Sequence, residues 1–433
     1  MVQLARLAAR PLDGFFRIEA ASGIVLLLAA ALALAWANSP WSASYTALWH
    51  LSLGFHFGPY AFQRSLEWVV NDVLMVIFFF TVGMEIRKEL HDGELSTWQS
   101  ASLPALAALG GMVVPALLYL ALASSGAAQA GWGTPMATDI AFAIGVLTLL
   151  GKRVPHPLRM LLLGLAVIDD LGAILVIALF YSAQIALSGL LVASFGVLGI
   201  VLLRAMGVRK VSAYIPSATI IWGGIYASGV HPTIAGVVVG LLTPVEAWLG
   251  PEGFAAEAQA QARQVSHGIS TAQASAHELR EPLKKMDFAR REAVSPAQFL
   301  IDKLHPWVAF LIMPLFALAN AGVDLRGTRF SGDALRVSLS IGLALVVGKP
   351  LGVFAVSFVA LRTRLSTLPT GLGLRHIVVL GVVAGIGFTM SLFIAQLAFT
   401  SPELLAAAKL GVLCASAVAM LLGLGIGRLL LRS

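Results

Sequence analysis

The chain has 433 residues, 58% of them hydrophobic and only 12% charged, with a mean hydropathy of +0.87. Soluble domains carry about 25% charged residues, so this composition excludes a soluble globular protein and describes a polytopic membrane protein. The net charge of +7 suggests a nucleic-acid partner only until its placement is read, and the lone Cys414 excludes an internal disulfide.

Stretches long enough to cross a bilayer, about 17–25 residues, predict twelve transmembrane helices at 17–38, 68–90, 101–124, 134–151, 156–182, 186–206, 211–228, 231–249, 304–323, 334–361, 372–399 and 403–428. Phe15 runs directly into the first, so no cleaved leader is expected. Between the first two, Leu51, Leu53, Phe55 and Phe57 alternate with Ser52, Gly54 and His56 before Gly58-Pro59. That pattern predicts a short β-hairpin within 50–66, with an irregular loop as the alternative. Its edge would suit pairing with a second copy of the chain. The segment 246–299 reads as a long, partly helical loop rich in Ala and Gln.

The basic residues orient the spans. Alternate loops on the side of the N-terminus hold Arg6, Arg10, Arg17, Arg87, Lys88, Lys152, Arg153, Arg159, Arg204, Arg209, Lys210, the seven from Arg263 to Lys303, Arg362, Arg364, Arg375, Arg428 and Arg432. The opposite side holds Arg64, Arg326, Arg329, Arg336 and Lys409, and Lys349 alone falls inside a span. Positive charge marks the cytoplasmic face, which places both termini in the cytoplasm and the hairpin in the periplasm.

Polar residues inside these spans are the functional signal, because each ionised group near the bilayer centre costs roughly 2.5–3.5 kcal/mol. In the second span, Asn71-Asp72 lie in the apolar run, and Glu85, Lys88 and Glu89 sit at its cytoplasmic end. This end reads equally as a solvated helix terminus or as a funnel for cations. In the fourth, Gly133-Thr-Pro135 interrupts the apolar run just before Thr138-Asp139. A helix broken in mid-membrane exposes backbone groups that must line a cavity or pack in protein. The other possibility is a loop followed by an Asp139 or Thr138 helix cap.

The fifth span carries the adjacent acids Asp169-Asp170 between MLLLGLAVI and LGAILVIALFY. Helical neighbours point about 100° apart, so one is free to ligate a cation while the other holds a proton or meets a partner charge; a cap for a later helix start is the competing explanation. His231 and His305 read as polar contacts near span ends, with titration near neutral pH as the alternative. Lys349, followed by Pro350, lies too deep to snorkel easily and should pair with an acid or be carried neutral. In the eleventh span Gly385 and Gly387, with Thr389 and Ser391, offer a second break, or else close glycine packing. Paired interruptions point to an inverted repeat with its site at the midplane. Three aspartates and one lysine leave an acidic surplus, as a cation pathway requires.

Taken together, NDVLMVIFFFTVGMEIRKEL, PMATDIAFAIGVL, LAVIDDLGAI, SGVHPTIAGV, LHPWVAFLIMPLFALANAGV, VGKPLG and GIGFTMSLFIA resemble the NhaA-type sodium/proton antiporters, from about Arg17 to the last span. The resemblance implies an all-α fold of twelve helices with inverted repeats, spans four and eleven broken and crossed, in the bacterial inner membrane, and a homodimer through the hairpin. It implies electrogenic exchange of cytoplasmic Na⁺ or Li⁺ for external H⁺ in pH homeostasis. Asp170 would be the main Na⁺ ligand, Asp169 a second and the partner of Lys349, Thr138 and Asp139 would tune the site, and Asp72 would be a secondary acid. Glu85, Lys88 and Glu89 resemble the family's pH-response cluster. One departure stands out: the family pattern has a Glu four residues before the His of LHPW, where this chain has Ile301. No metal cofactor or nucleotide motif is visible, and no enzymatic activity is expected. Two other functions also use membrane acids, an intramembrane aspartyl protease and a sodium-selective channel. The first has no place for Lys349, and the second lacks obligatory proton coupling.

Overall fold

The computed structural model describes residues 21–57, 60–93, 95–123, 126–182, 185–208, 210–270, 276–326 and 332–431. Arg6, Arg10, Arg17, Gly58, Pro59, Arg209, Arg329 and Arg432 lie outside them. The chain opens with α1 (Ala21–Ala37), bent by 116° into α2 (Ser42–Trp49). The antiparallel pair β1 (Ser52–Phe57) and β2 (Tyr60–Ser65) follows, in register Ser52↔Ser65 through Phe57↔Tyr60. The expected hairpin is therefore present.

Next come α3 (Leu66–His91), α4 (Trp98–Leu122), α5 (Gly126–Met136), α6 (Ile140–Leu149), α7 (His156–Phe180) and α8 (Leu187–Ala205). The chain continues with α9 (Ile215–Ala227), α10 (Thr233–Leu242), α11 (Gly250–Ser270) and α12 (Ala276–Glu292). It ends with α13 (Pro296–Asn320), α14 (Asp333–Arg362), α15 (Leu374–Ala384), α16 (Phe388–Ala398) and α17 (Pro402–Leu430). Among the described residues, seven of these helices are long and apolar enough to cross a membrane alone, and up to ten spans result if each of three bent pairs counts as one.

Three boundaries differ from the sequence reading. The fourth span, expected from 134, already begins with α5 at Gly126. The helix expected over 231–249 stops at Leu242, because Thr243 turns to an extended conformation before Pro244. The helix expected from 304 begins instead at Pro296. There Ser295 caps the first turn by accepting from the Gln298 N–H at 3.2 Å, and Pro296 supplies the preset first-turn geometry. The segment between is two helices, α11 and α12, joined at their base by the Leu249 N–H donating to the Glu292 carbonyl at 3.0 Å.

Local π-turns relax α13 and α14. Val308–Ile312 precedes Pro314, and Ala344–Gly348 precedes Pro350. A proline cannot donate to the carbonyl four residues back, and a wider turn just before it absorbs the missing bond. A third π-turn, Val69–Leu74, contains Asn71 and Asp72.

One large apolar core joins α1, α3, α4, α7 and α13–α17 around the broken helices. A smaller one, around Ala193, Ile200, Ile221, Ile225 and Ala235, holds α8, α9 and α10 together. Close helix approach depends on glycine where backbones touch. A Cβ on Gly236 of α10 would lie 2.2 Å from the Val76 carbonyl oxygen of α3, and one on Gly352 of α14 would lie 2.1 Å from that of Gly110 in α4. Missing side chains at these points let helices meet without a hydrophobic driving force from water.

Candidate functional site

Asp169 and Asp170 sit in the middle of α7, a continuous helix of 25 residues, and are 0% and 1% exposed. They are not helix caps. Two interrupted helices meet beside them. Between α5 and α6 the chain runs extended through Ala137 and Asp139 and bends by 50°; between α15 and α16 it bends by 48° at Gly385–Gly387. The second break needs its glycines: a Cβ on Gly385 would lie 2.6 Å from the Leu345 carbonyl oxygen, within the π-turn of α14. Gly133 and Pro135 are buried at the end of α5, where the Gly133 N–H donates to the Tyr181 hydroxyl at 3.1 Å.

The breaks are bonded to each other. The Asp139 N–H donates to the Ile386 carbonyl at 2.8 Å, and the Thr138 hydroxyl lies 3.0 Å from the Ala384 carbonyl oxygen and 2.6 Å from Asp169 Oδ2. One hydroxyl proton faces two acceptors here. Asp139 caps α6, its Oδ1 accepting from the Phe142 N–H at 3.0 Å, while its Oδ2 accepts from the N–H and hydroxyl of Thr389 at 3.2 and 2.5 Å. A helix cap was one of two readings of this residue. The structure makes it a cap for both half-helices at once, which ties them into one unit.

Lys349 is fully buried and lies 2.8 Å from Asp169 Oδ2. Its ammonium also donates to the Met136 carbonyl, the last residue of α5. Two opposite charges at this distance in a dry interior form a neutral pair, far less costly than either charge alone. Asp170 has no such partner among the described residues. Its Oδ1, like Asp169 Oδ1, is buried without a hydrogen bond. Glu85 and Asp139 are the other acids close enough to act on Asp170 electrostatically, and Lys349 acts on it in the opposite sense. The described residues hold no cluster of three His, Cys, Asp or Glu of the kind that binds a resident metal. The two unpartnered carboxylate oxygens, with a hydroxyl and broken-helix carbonyls nearby, instead offer the hard oxygen donors that suit a small cation.

Of the remaining sequence candidates, Glu85 acts on Asp170 electrostatically. Asp72, turned by its π-turn, lies 3.6 Å from His231 Nε2, and His231 Nδ1 is 2.8 Å from the Thr233 hydroxyl. Glu85, Lys88 and Glu89 occupy the last turns of α3, each half-buried. Ile301 packs with Met84, Val245 and Ala297 in a small apolar cluster where α13 begins. Thr389 and the carbonyls of Met136, Ala384 and Ile386 were not singled out as site groups. Thr389 had a signal, a hydroxyl one turn past a double-glycine break. The carbonyls had only the breaks themselves as a signal, which free backbone groups without saying which, since any residue supplies one.

A family model described as Na+/H+ antiporter 1 matches residues 13–426. A Na(+)/H(+) antiporter NhaA 2 of Myxococcus xanthus is 59% identical over 431 residues, covering 100% of this chain and 92% of that protein. A protein of the same name from Sorangium cellulosum is 51% identical, covering 99% of this chain and 92% of its own length. Another, from Pseudomonas putida, is 49% identical, with 100% and 95% covered.

Proposed function

The chain belongs to the Na+/H+ antiporter family, a family of transporters rather than enzymes, and from this we propose that it exchanges cytoplasmic Na⁺ or Li⁺ for external H⁺ across the bacterial inner membrane. The observation that carries the reading is the arrangement around Asp170: an acid with unfilled oxygen valence beside the Asp169–Lys349 pair, where two helix breaks meet. We take the bundle as twelve spans, with α5–α6 and α15–α16 each one broken span related by an inverted repeat, and α9 and α10 completing the count. The positive-inside bias then puts both termini in the cytoplasm. The hairpin, whose Arg64 is bonded to Tyr226 at 2.5 Å and lies over Phe62 and Trp68, is the proposed homodimer contact.

Asp169 and Asp170 alternate between two occupants. Ionised, they take Na⁺ through their unpartnered oxygens, helped by Thr138. Asp169 then exchanges its attachment to Lys349 for the cation. Protonated, the two acids are neutral without Na⁺, and Lys349 is held by the Met136 carbonyl. Either state crosses the alternating-access step without carrying a bare dianion through lipid. Two protons replacing one Na⁺ move one net positive charge per cycle, which makes the exchange electrogenic. Asp139 serves to keep the two half-helices together, and Glu85, Lys88 and Glu89 form the cytoplasmic approach that responds to pH.

The test is sodium-induced proton release in everted vesicles or proteoliposomes. Asp170→Asn should abolish it with the protein still folded in the membrane; wild-type release by that variant would sink the reading. Sodium flux without a matching pH change would indicate a channel instead. A protease dyad that uses Asp139 has no support here, because both oxygens of that acid are engaged in capping.

A further inference from the structure

At the basic end of the bundle the C-terminal ends of α6 and α17 come together. A Cβ on Gly427 would lie 2.4 Å from the Leu150 side chain. Beside this contact opens a cleft of about 530 Å³ lined by Leu149, Leu150, Arg153 and Arg428. Arg153 ends the short turn Gly151–Arg153 that follows α6, and Arg428 lies in the last turn of α17. Both side chains are exposed, and among the described residues neither guanidinium has a hydrogen-bond or ion-pair partner. Arg159, by contrast, reaches the Gly151 carbonyl at 3.5 Å.

The cleft joins two chemistries. A guanidinium presents a planar fork that matches phosphate oxygens in pairs, and two of them face one cavity. Apolar surface continues from it: Leu149 is 61% exposed, and Leu421, two turns before Arg428 on the same face of α17, is 64% exposed. A free phosphate would satisfy the arginines and leave this strip bare. A glycerophospholipid satisfies both, with its phosphodiester at the arginines and an acyl chain along Leu149 and Leu421. Basic pockets between transmembrane helices on the cytoplasmic side are suited to anionic head groups.

We propose that the cleft between α6 and α17 binds the headgroup of an anionic glycerophospholipid of the cytoplasmic leaflet. The proposal rests on the membrane orientation given above. Its occupant would tether one end of α6, the half-helix capped at its other end by Asp139, to α17. Lipid composition would thereby set how freely the broken span moves.

Native mass spectrometry of the delipidated full chain, titrated with phosphatidylglycerol or phosphatidylcholine, tests it. The wild type should bind phosphatidylglycerol at least tenfold more tightly, and the double variant Arg153→Gln/Arg428→Gln should lose that preference. Arg362→Gln, an exposed basic residue of the same end but outside the cleft, should keep it. Unchanged binding by the double variant, or equal loss in Arg362→Gln, would overturn the site. Displacement of the lipid by equimolar glycerol phosphate would instead identify a free-phosphate site and also overturn it. The binding is read without sodium or a pH gradient, so its failure and a failure of ion exchange are separate results.

Discussion

Replacing Gly352 with alanine should impair exchange without touching any group of the site. A Cβ there would lie 2.1 Å from the Gly110 carbonyl oxygen and 2.8 Å from Val114 Cβ, on α4. Carbon–oxygen contacts settle near about 3.3–3.6 Å, so the two helices must part by about 1 Å. Lys349 lies one turn before Gly352, on the same face of α14, and its Cε is only 3.6 Å from the point where a Cβ on Gly111 would fall. The shift therefore draws the ammonium away from Asp169 Oδ2, now at 2.8 Å, and out of hydrogen-bond range. A misplacement of about 1 Å can cost about 10²-fold in rate. We expect kcat/KM for sodium-driven proton exchange in proteoliposomes to fall about 10- to 100-fold, equivalent to roughly 1.4–2.7 kcal/mol. Gly342, on the same helix, faces open space with nothing within 4 Å of its would-be Cβ. Gly342→Ala should exchange normally and gain up to about 1 kcal/mol in stability from helix propensity. A Gly352→Ala protein within twofold of wild type, or a Gly342→Ala protein equally impaired, would refute the reasoning.

Thr138→Val keeps the shape and removes the hydroxyl beside Asp169 Oδ2. A hydrogen bond to a charged group contributes about 1.5–3 kcal/mol, so the apparent KM for Na⁺ should rise about 10- to 100-fold, and Thr138→Ser should restore it. Lys349→Met leaves Asp169 as a buried charge without its partner, which costs about 3–5 kcal/mol. Thermal unfolding in detergent should show that loss, and adding Asp169→Asn should recover most of the stability but none of the exchange. On the proposed competition of Na⁺ and protons for the same carboxylates, lowering the pH should raise the apparent KM for Na⁺, about tenfold per pH unit for each proton displaced. A KM independent of pH, measured at saturating and limiting sodium, would contradict a shared site.

The sequence announced the site wherever a residue was out of place for its surroundings. Asp169, Asp170 and Lys349 were legible because a charge in an apolar run has no structural excuse, and the breaks because glycine and proline interrupt helices. Pairing was less legible. Adjacent acids point about 100° apart, and nothing local says which of them meets a lysine 180 positions away; that follows from how α14 packs on α4 through Gly110 and Gly352. The start of α13 was written in Ser295-Pro296, a cap followed by a first-turn proline. Asp302 and Lys303 lowered the hydropathy there and hid it. The early end of α10 went unseen for the opposite reason, since apolar residues continue past Pro244 where the helix does not.

Asp139, Asp169 and Asp170 separate by what already neutralises or engages them. Asp139 has both oxygens in hydrogen bonds to the two half-helices, so its charge is met by fixed N–H and O–H dipoles. Asp169 faces a fixed ammonium. Asp170 alone, among the described residues, has neither an ion-pair contact nor a donor on its buried Oδ1. An ionised carboxylate in that setting is costly, and Lys349, the one cation acting on it among the described residues, is already paired with Asp169. On the proposed reading, the proton or small cation that neutralises Asp170 arrives from outside and leaves again. Competition between those two arrivals at one acid is the minimal requirement for exchanging one for the other.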